Sequence, residues 1–233
     1  MAAVVAAYVP SPPLLHPDVG TGPDPQFEAL RAACHRAVGG LVDGGPSGVV
    51  VLGDLADRAV LAPAAPPGGQ GGHARADETS AGTFAPWGVD VRVGAVGVAP
   101  SLGLAHSIGA WLLDAAGWTG PRSYVAPGDL DALPEGAALL VVADGSATRT
   151  PKAPGSYDPA GEAFDARVRA ALASGDPGRL AALPAEAARA VLAQGVPAWH
   201  EAARLLDGRT YRAEVLADSA PFGVGYLVAV WSR

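Results

Sequence analysis

A chain of 233 residues, 49% hydrophobic and 17% charged, carries enough apolar material for a buried core, which excludes an intrinsically disordered polypeptide. The formal net charge of −7, with only 16 lysines and arginines scattered along the chain, argues against nucleic acid as a main partner. The single cysteine, Cys34, excludes an internal disulfide framework and a thiolate zinc cage.

Residues 3–9, an apolar run ending at Pro10, are predicted to open the chain as a strand. The run lacks the basic leader of a signal peptide and is too short to span a bilayer, which takes about 20 apolar residues. No later stretch approaches that length, so a cytoplasmic protein with no membrane partner is expected. Residues 26–42 place Phe27, Leu30, Cys34, Val38 and Leu41 on one stripe at helical spacing, with Cys34 in the core. A second strand is predicted at 48–52. Residues 61–82 have the glycine, proline and polar composition of a loop. A third strand follows at 89–93. Residues 102–116 form a helix carrying Leu104, Ile108, Trp111, Leu112 and Ala115, opened by Ser101 and closed by Gly117. His106 falls on the face opposite Ile108 and is expected at the surface. The fourth strand is 138–143. Asp158-Pro159 then caps and starts a helix bearing Phe164, Val168 and Leu172. Shorter helices are predicted near 177–182, 185–194 and 198–206, and two last strands at 211–217 and 224–231.

Strands alternating with helices imply an α/β protein with a central, mostly parallel sheet flanked by helices. The last two strands leave no room for a crossover helix, so an antiparallel pair at an edge or end is expected, making the sheet mixed. There is no internal repeat. One domain spanning 1–233 is the expected organisation.

In open α/β sheets ligands collect at the carboxyl ends of strands. Three predicted strands end in polar residues, in "YVPSPPLLHP", "VVVLGDLADR" and "VVADGSATR". Ser11, Asp54, Asp57, Asp144 and Ser146 therefore become candidates for one crevice. The plainer alternative is that such residues only make turns and helix caps. Arg149 and Lys152 follow the fourth strand, where they can bind an anionic ligand, neutralise Asp144 or simply be solvated. The histidines His16, His35, His73, His106 and His200 form no metal-ligand pair of recognised spacing. Cys34 and His35 are helix neighbours whose side chains diverge by about 100°, a poor nucleophile–base pair.

Three segments also resemble a known family. "VPSPPLLHPDVG", "ADGSATRTPKAPGSYDPAGEAFDARV" and "APFGVGYLVA" are similar, in the same order, to the opening, middle and closing signatures of the class III extradiol ring-cleavage dioxygenase (LigB-like) family, to which the Memo proteins are related. The resemblance brackets nearly the entire chain and implies a phosphorylase/hydrolase-like α/β sandwich. Active members hold Fe(II) with two histidines and a glutamate, and use a further histidine as acid–base catalyst. This chain departs at each of those places. Ser11 stands at the first histidine, the second is missing from Gly53-Asp54-Leu55, Ala147 replaces the catalytic histidine, and Ser219 matches the glutamate.

Alanine transfers no proton and serine is a poor Fe(II) ligand. The resemblance thus implies a branch, a pseudoenzyme without Fe(II), that binds a small anionic or aromatic molecule through Ser11, Asp54, Asp57, Asp144, Ser146, Arg149, Lys152 and Ser219. Two alternatives stay open. In one, an active enzyme uses Asp54, Asp57 and Asp144 around a hard cation, or Asp144 as general base. In the other, the scaffold serves structure or a partner. The apolar "YLVAVW" near the C-terminus suits either a core or a homo-oligomer interface.

Overall fold

The computed structural model of the chain describes residues 3–19, 24–53 and 76–233. Apolar runs make the strands β1 (Val4–Val9), β2 (Val49–Gly53) and β7 (Ala138–Val142), and β2 and β7 are buried along their whole length. Continuous burial is what a parallel strand covered on both faces requires. The remaining strands are β3 (Ala76–Asp77), β4 (Ala81–Thr83), β5 (Arg92–Gly94), β6 (Arg122–Val125), β8 (Arg212–Ser219) and β9 (Tyr226–Ser232). Seven of them form a mixed sheet in the order β3-β6-β2-β7-β1-β9-β8. The inner four, β6, β2, β7 and β1, run parallel, whereas β3, β9 and β8 are antiparallel to their neighbours.

Three helices carry the packing. Helix α1 (Pro25–Asp43) starts where Asp24 accepts a hydrogen bond from the Gln26 N–H at 2.9 Å, and it buries the whole expected stripe from Phe27 to Leu41. Helix α2 (Leu104–Ala115) has Gly103 at its N-cap position, without a side-chain cap, so Ser101 does not open it. Helix α3 (Pro159–Ser174) is capped by Asp158, whose carboxylate accepts from the Ala160 N–H at 2.8 Å. It ends at Gly175, where φ is +66° and a Cβ would collide with the Tyr211 carbonyl, so glycine is required. Three short helices follow, α4 (Pro177–Ala181), α5 (Ala185–Ala190) and α6 (Val196–Leu205).

Alternation along the strands divides the core. Tyr8, Leu52, Leu139 and Val141 face α3 and α6, packing with Phe164, Val168 and Trp199. Val9, Val51, Leu140 and Val142 face α1 and α2, packing with Leu30, Cys34 and Ile108. Helices therefore cover both faces of the sheet. No helix among the described residues is long and apolar enough to cross a membrane.

Several expectations need correcting. The parallel strand β6 is missed in the sequence because Arg122 and Ser123 interrupt its apolar pattern. Arg122 is nonetheless buried, with its guanidinium donating to Asp114 at 2.7 Å and to the Trp118 carbonyl at 2.6 Å. The strand expected at 89–93 reduces to β5, which pairs with β4 in a separate two-stranded ladder. Residues 76–77 and 81–82, expected as loop, are extended, while 61–75 lie outside the described residues. His106 is buried rather than surface-exposed, with Nε2 3.0 Å from the Val125 carbonyl.

Candidate functional site

Parallel strands bring their carboxyl ends to one edge of a sheet, and here Val9, Gly53, Val125 and Val142 all end there. Strand β9 runs the other way, so Tyr226 begins at this end, and its partner Ser219 closes β8 beside it. Ser11 leaves β1 and Asp144 leaves the adjacent β7. The Ser11 N–H donates to Asp144 Oδ1 at 2.7 Å, and the Ser11 hydroxyl donates to Oδ2 at 3.0 Å. Hydrogen bonds to an ionised carboxylate are roughly twice as strong as neutral ones, so this clamp orients Asp144 firmly. The main chain is fixed as well, with the Gly195 N–H donating to the Asp144 carbonyl at 3.0 Å and the Gly145 N–H to the Gly225 carbonyl at 2.8 Å.

The half-buried Asp144 colours its surroundings. Burial, and after it the Asp144 charge, pushes the Tyr226 phenol well above its ordinary range. The same two causes raise the Cys34 thiol. Both groups stay protonated at neutral pH, so Cys34 is a core residue and no thiolate nucleophile. Phe27 stacks on Phe222 with centroids 5.8 Å apart and contacts Tyr226 at 6.1 Å, placing an aromatic wall next to the carboxylate.

Ser146 and Arg149 turn elsewhere. The Ser146 N–H and hydroxyl each donate to Asp165 at 2.8 Å, and the Arg149 guanidinium pairs with the same carboxylate at 2.8 Å. Arg149 therefore neutralises Asp165 and not Asp144. Asp165 is only 2% exposed. Two backbones close on it, since a Cβ at Gly145 would stand 2.6 Å from Oδ1 and one at Gly225 would overlap the other oxygen. Asp165 is missing from the sequence candidates, although a signal exists. It lies three and seven residues before Val168 and Leu172, on the apolar stripe of α3, where an unpaired carboxylate is rarely tolerated.

The other candidates divide. Lys152 is exposed and makes no hydrogen bond or ion pair among the described residues. Ser219 shares the sheet end with Ser11, but β9 lies between their strands, a separation of about 10 Å. Its Oγ is buried without a hydrogen-bond partner among the described residues. Asp54 and Asp57 lie outside the described residues, just beyond Gly53, whose neighbour across the sheet is Val142.

Backbone strain gathers about the loop after β7. Among the described residues, the non-glycine residues with positive φ are Ser156 (61°), Leu192 (56°) and Phe222 (57°). Ser156 belongs to the loop after β7. The Ala147 N–H donates to the Val191 carbonyl, next to Leu192, and the Arg149 N–H to the Gly223 carbonyl, next to Phe222, both at 2.9 Å. Each such residue costs roughly 1–3 kcal/mol, and strain of this kind clusters at functional sites. Phe222 also keeps 60% of its surface exposed, a large apolar ring at the rim of the Asp144 region.

The arrangement offers an oriented carboxylate, a neutral phenol and an aromatic wall, which can accept hydrogen bonds from a ligand and pack against its flat face. Among the described residues, no three histidine, cysteine or carboxylate side chains group as a metal site. No family model matches the chain, and no curated protein matches it with significance.

Proposed function

We propose that this chain is a divergent LigB-like protein, with the phosphorylase/hydrolase-like sandwich of that family, which has lost Fe(II)-dependent ring cleavage and binds a small anionic or aromatic molecule at the carboxyl end of its parallel strands. The observation that carries the reading is the Ser11–Asp144 clamp between β1 and β7, whose carboxylate stays half-buried beside an aromatic wall. Its two halves come from the opening and middle segments of the family resemblance, and Tyr226 and Ser219 come from in and beside the closing one. Ligands of open α/β sheets gather at this end. The residues at the family's iron positions do not fit that ion. Ser11 spends its hydroxyl proton on Asp144 and the Ser219 hydroxyl is neutral, while Ala147, at the position of the catalytic histidine, transfers no proton. Asp144 is then the group that fixes ligand orientation.

Thermal melts of wild type and Asp144→Asn in the presence of catechol or phenol test the reading. At least one compound should raise the wild-type melting temperature and leave that of Asp144→Asn unmoved. A wild type indifferent to both, or a purified protein that carries stoichiometric iron and cleaves catechol, would overturn it.

A further inference from the structure

Helix α1 presents Phe27, Arg31 and His35 at intervals of four, so the three share one ridge. Phe27 ends that ridge at Phe222 and Tyr226, beside Asp144. The other end meets Trp111 of α2. His35 lies edge-on to Trp111 at 5.2 Å, and His16, from the segment after β1, contacts the same ring at 5.1 Å. Between the two ends, Arg31 Nε donates to the Leu15 carbonyl at 2.8 Å. Arg31 is half-buried, and that carbonyl is its one hydrogen-bond partner among the described residues; no carboxylate there pairs with it. A guanidinium has five N–H donors in a planar fork, so four remain for another group. Charges withdrawn from water are ordinarily paired.

The neighbours have matching chemistry. His16 Nδ1 accepts from the Asp18 N–H at 3.3 Å, which leaves the proton of the neutral ring on Nε2 as a donor. Burial lowers the pKa of both His16 and His35, and the Arg31 charge lowers both further, while Asp18 opposes this at His16. Three nitrogen-bearing side chains thus converge without a paired carboxylate among the described residues. Cys34 feels both the Asp144 charge and the Arg31 charge, which puts this cluster next to the Asp144 region but on its cationic side.

We propose that Arg31, with His16 and His35 about Trp111, is an oxyanion-binding site for a carboxylate or phosphate group. It goes beyond ligand binding at Asp144 and does not depend on it. Arg31 supplies the fork that matches two oxygens of such a group, and His16 supplies a further N–H.

The test follows the imidazole resonances of the full chain by NMR, at constant ionic strength in sodium chloride, during separate titrations with inorganic phosphate and with benzoate. Saturable movement of His16 and His35, with His106 and His200 left in place, is expected from at least one anion. Response to phosphate alone assigns a phosphoryl group, and response to benzoate alone a carboxylate. Arg31→Gln should weaken the responding anion by about tenfold or more, while Asp144→Asn leaves it unchanged. If Arg31→Gln does not fold, Arg31→Lys keeps the charge without the fork, and a loss of about threefold or more is expected. Neither anion moving His16 or His35, all histidines moving alike, or an affinity indifferent to the Arg31 variant would each overturn the site. Retained anion binding in an Asp144→Asn protein with no catechol response would separate this proposal from the one above.

Discussion

Two carboxylates at the same end of the sheet are held by the same device and put to different use. Ser11 gives its N–H and hydroxyl to the two oxygens of Asp144, and Ser146 gives its own pair to those of Asp165. Asp165 then receives Arg149 as well, is closed in by Gly145 and Gly225, and is almost fully buried. Asp144 stays half-buried and borders the aromatic residues of α1 and β9. A serine clamp is therefore not by itself a sign of function. Burial decides, because a fully enclosed carboxylate can only brace the fold, whereas a half-buried one can still meet a ligand.

The largest expected effect lies on the enclosed side. Asp165→Ala leaves Arg149 and the Ser146 donors without their acceptor, and urea unfolding should show a loss of about 3–5 kcal/mol. A loss under about 1 kcal/mol would dissolve the contrast, since such a value suits a surface ion pair. Next in size is Phe222→Gly, which removes a bulky residue from left-handed backbone while giving up a mostly exposed ring. Stability should rise by about 1 kcal/mol, measured by the same unfolding curves, while the response to aromatic compounds weakens.

Acid should act on the α1 side. Folding lowers the His16 and His35 pKa values through burial and Arg31, so the folded state disfavours their protonated forms. The unfolded chain takes up these protons first, near the ordinary histidine value of about 6.5. The contribution is intact above that pH and is lost as the pH falls through the lowered values of the folded state. Melting temperatures measured between pH 8 and pH 5 should decline on the acid side, and a His16→Gln, His35→Gln double variant should flatten that decline. The smallest stability change belongs to Asp144→Asn, whose amide keeps the shape and one acceptor. We expect a shift within about 0.5 kcal/mol, together with loss of the ligand response. A loss of about 1.5–3 kcal/mol would instead place Asp144 with Asp165 as a brace.

Much of this fold is legible in local pattern. The runs that become β1, β2 and β7 are apolar throughout, and α1 and α3 announce themselves by an aspartate cap, a first-turn proline and a periodic stripe. Strand β6 is not legible, because Arg122 within it is supported by Asp114 and by the Trp118 carbonyl from the end of α2. His106 misleads in the same way, since its burial beside Val125 depends on how α2 lies on the sheet.

The candidate site divides along the same line. Polar residues closing apolar strands place Ser11 and Asp144 at one sheet end, and the structure joins them across a separation of 133 residues. The sequence by itself determined the α/β alternation, the mixed sheet with its antiparallel pair and the polar strand ends, because each follows from periodicity and capping within a short window. Tertiary structure alone decided that Arg149 meets Asp165, that Phe222 adopts left-handed backbone at the rim, and that Arg31 lies among two histidines. Those outcomes depend on which face of the sheet each chain segment crosses, and hydrogen-bond partners are chosen by distances of a few ångströms that no local pattern encodes.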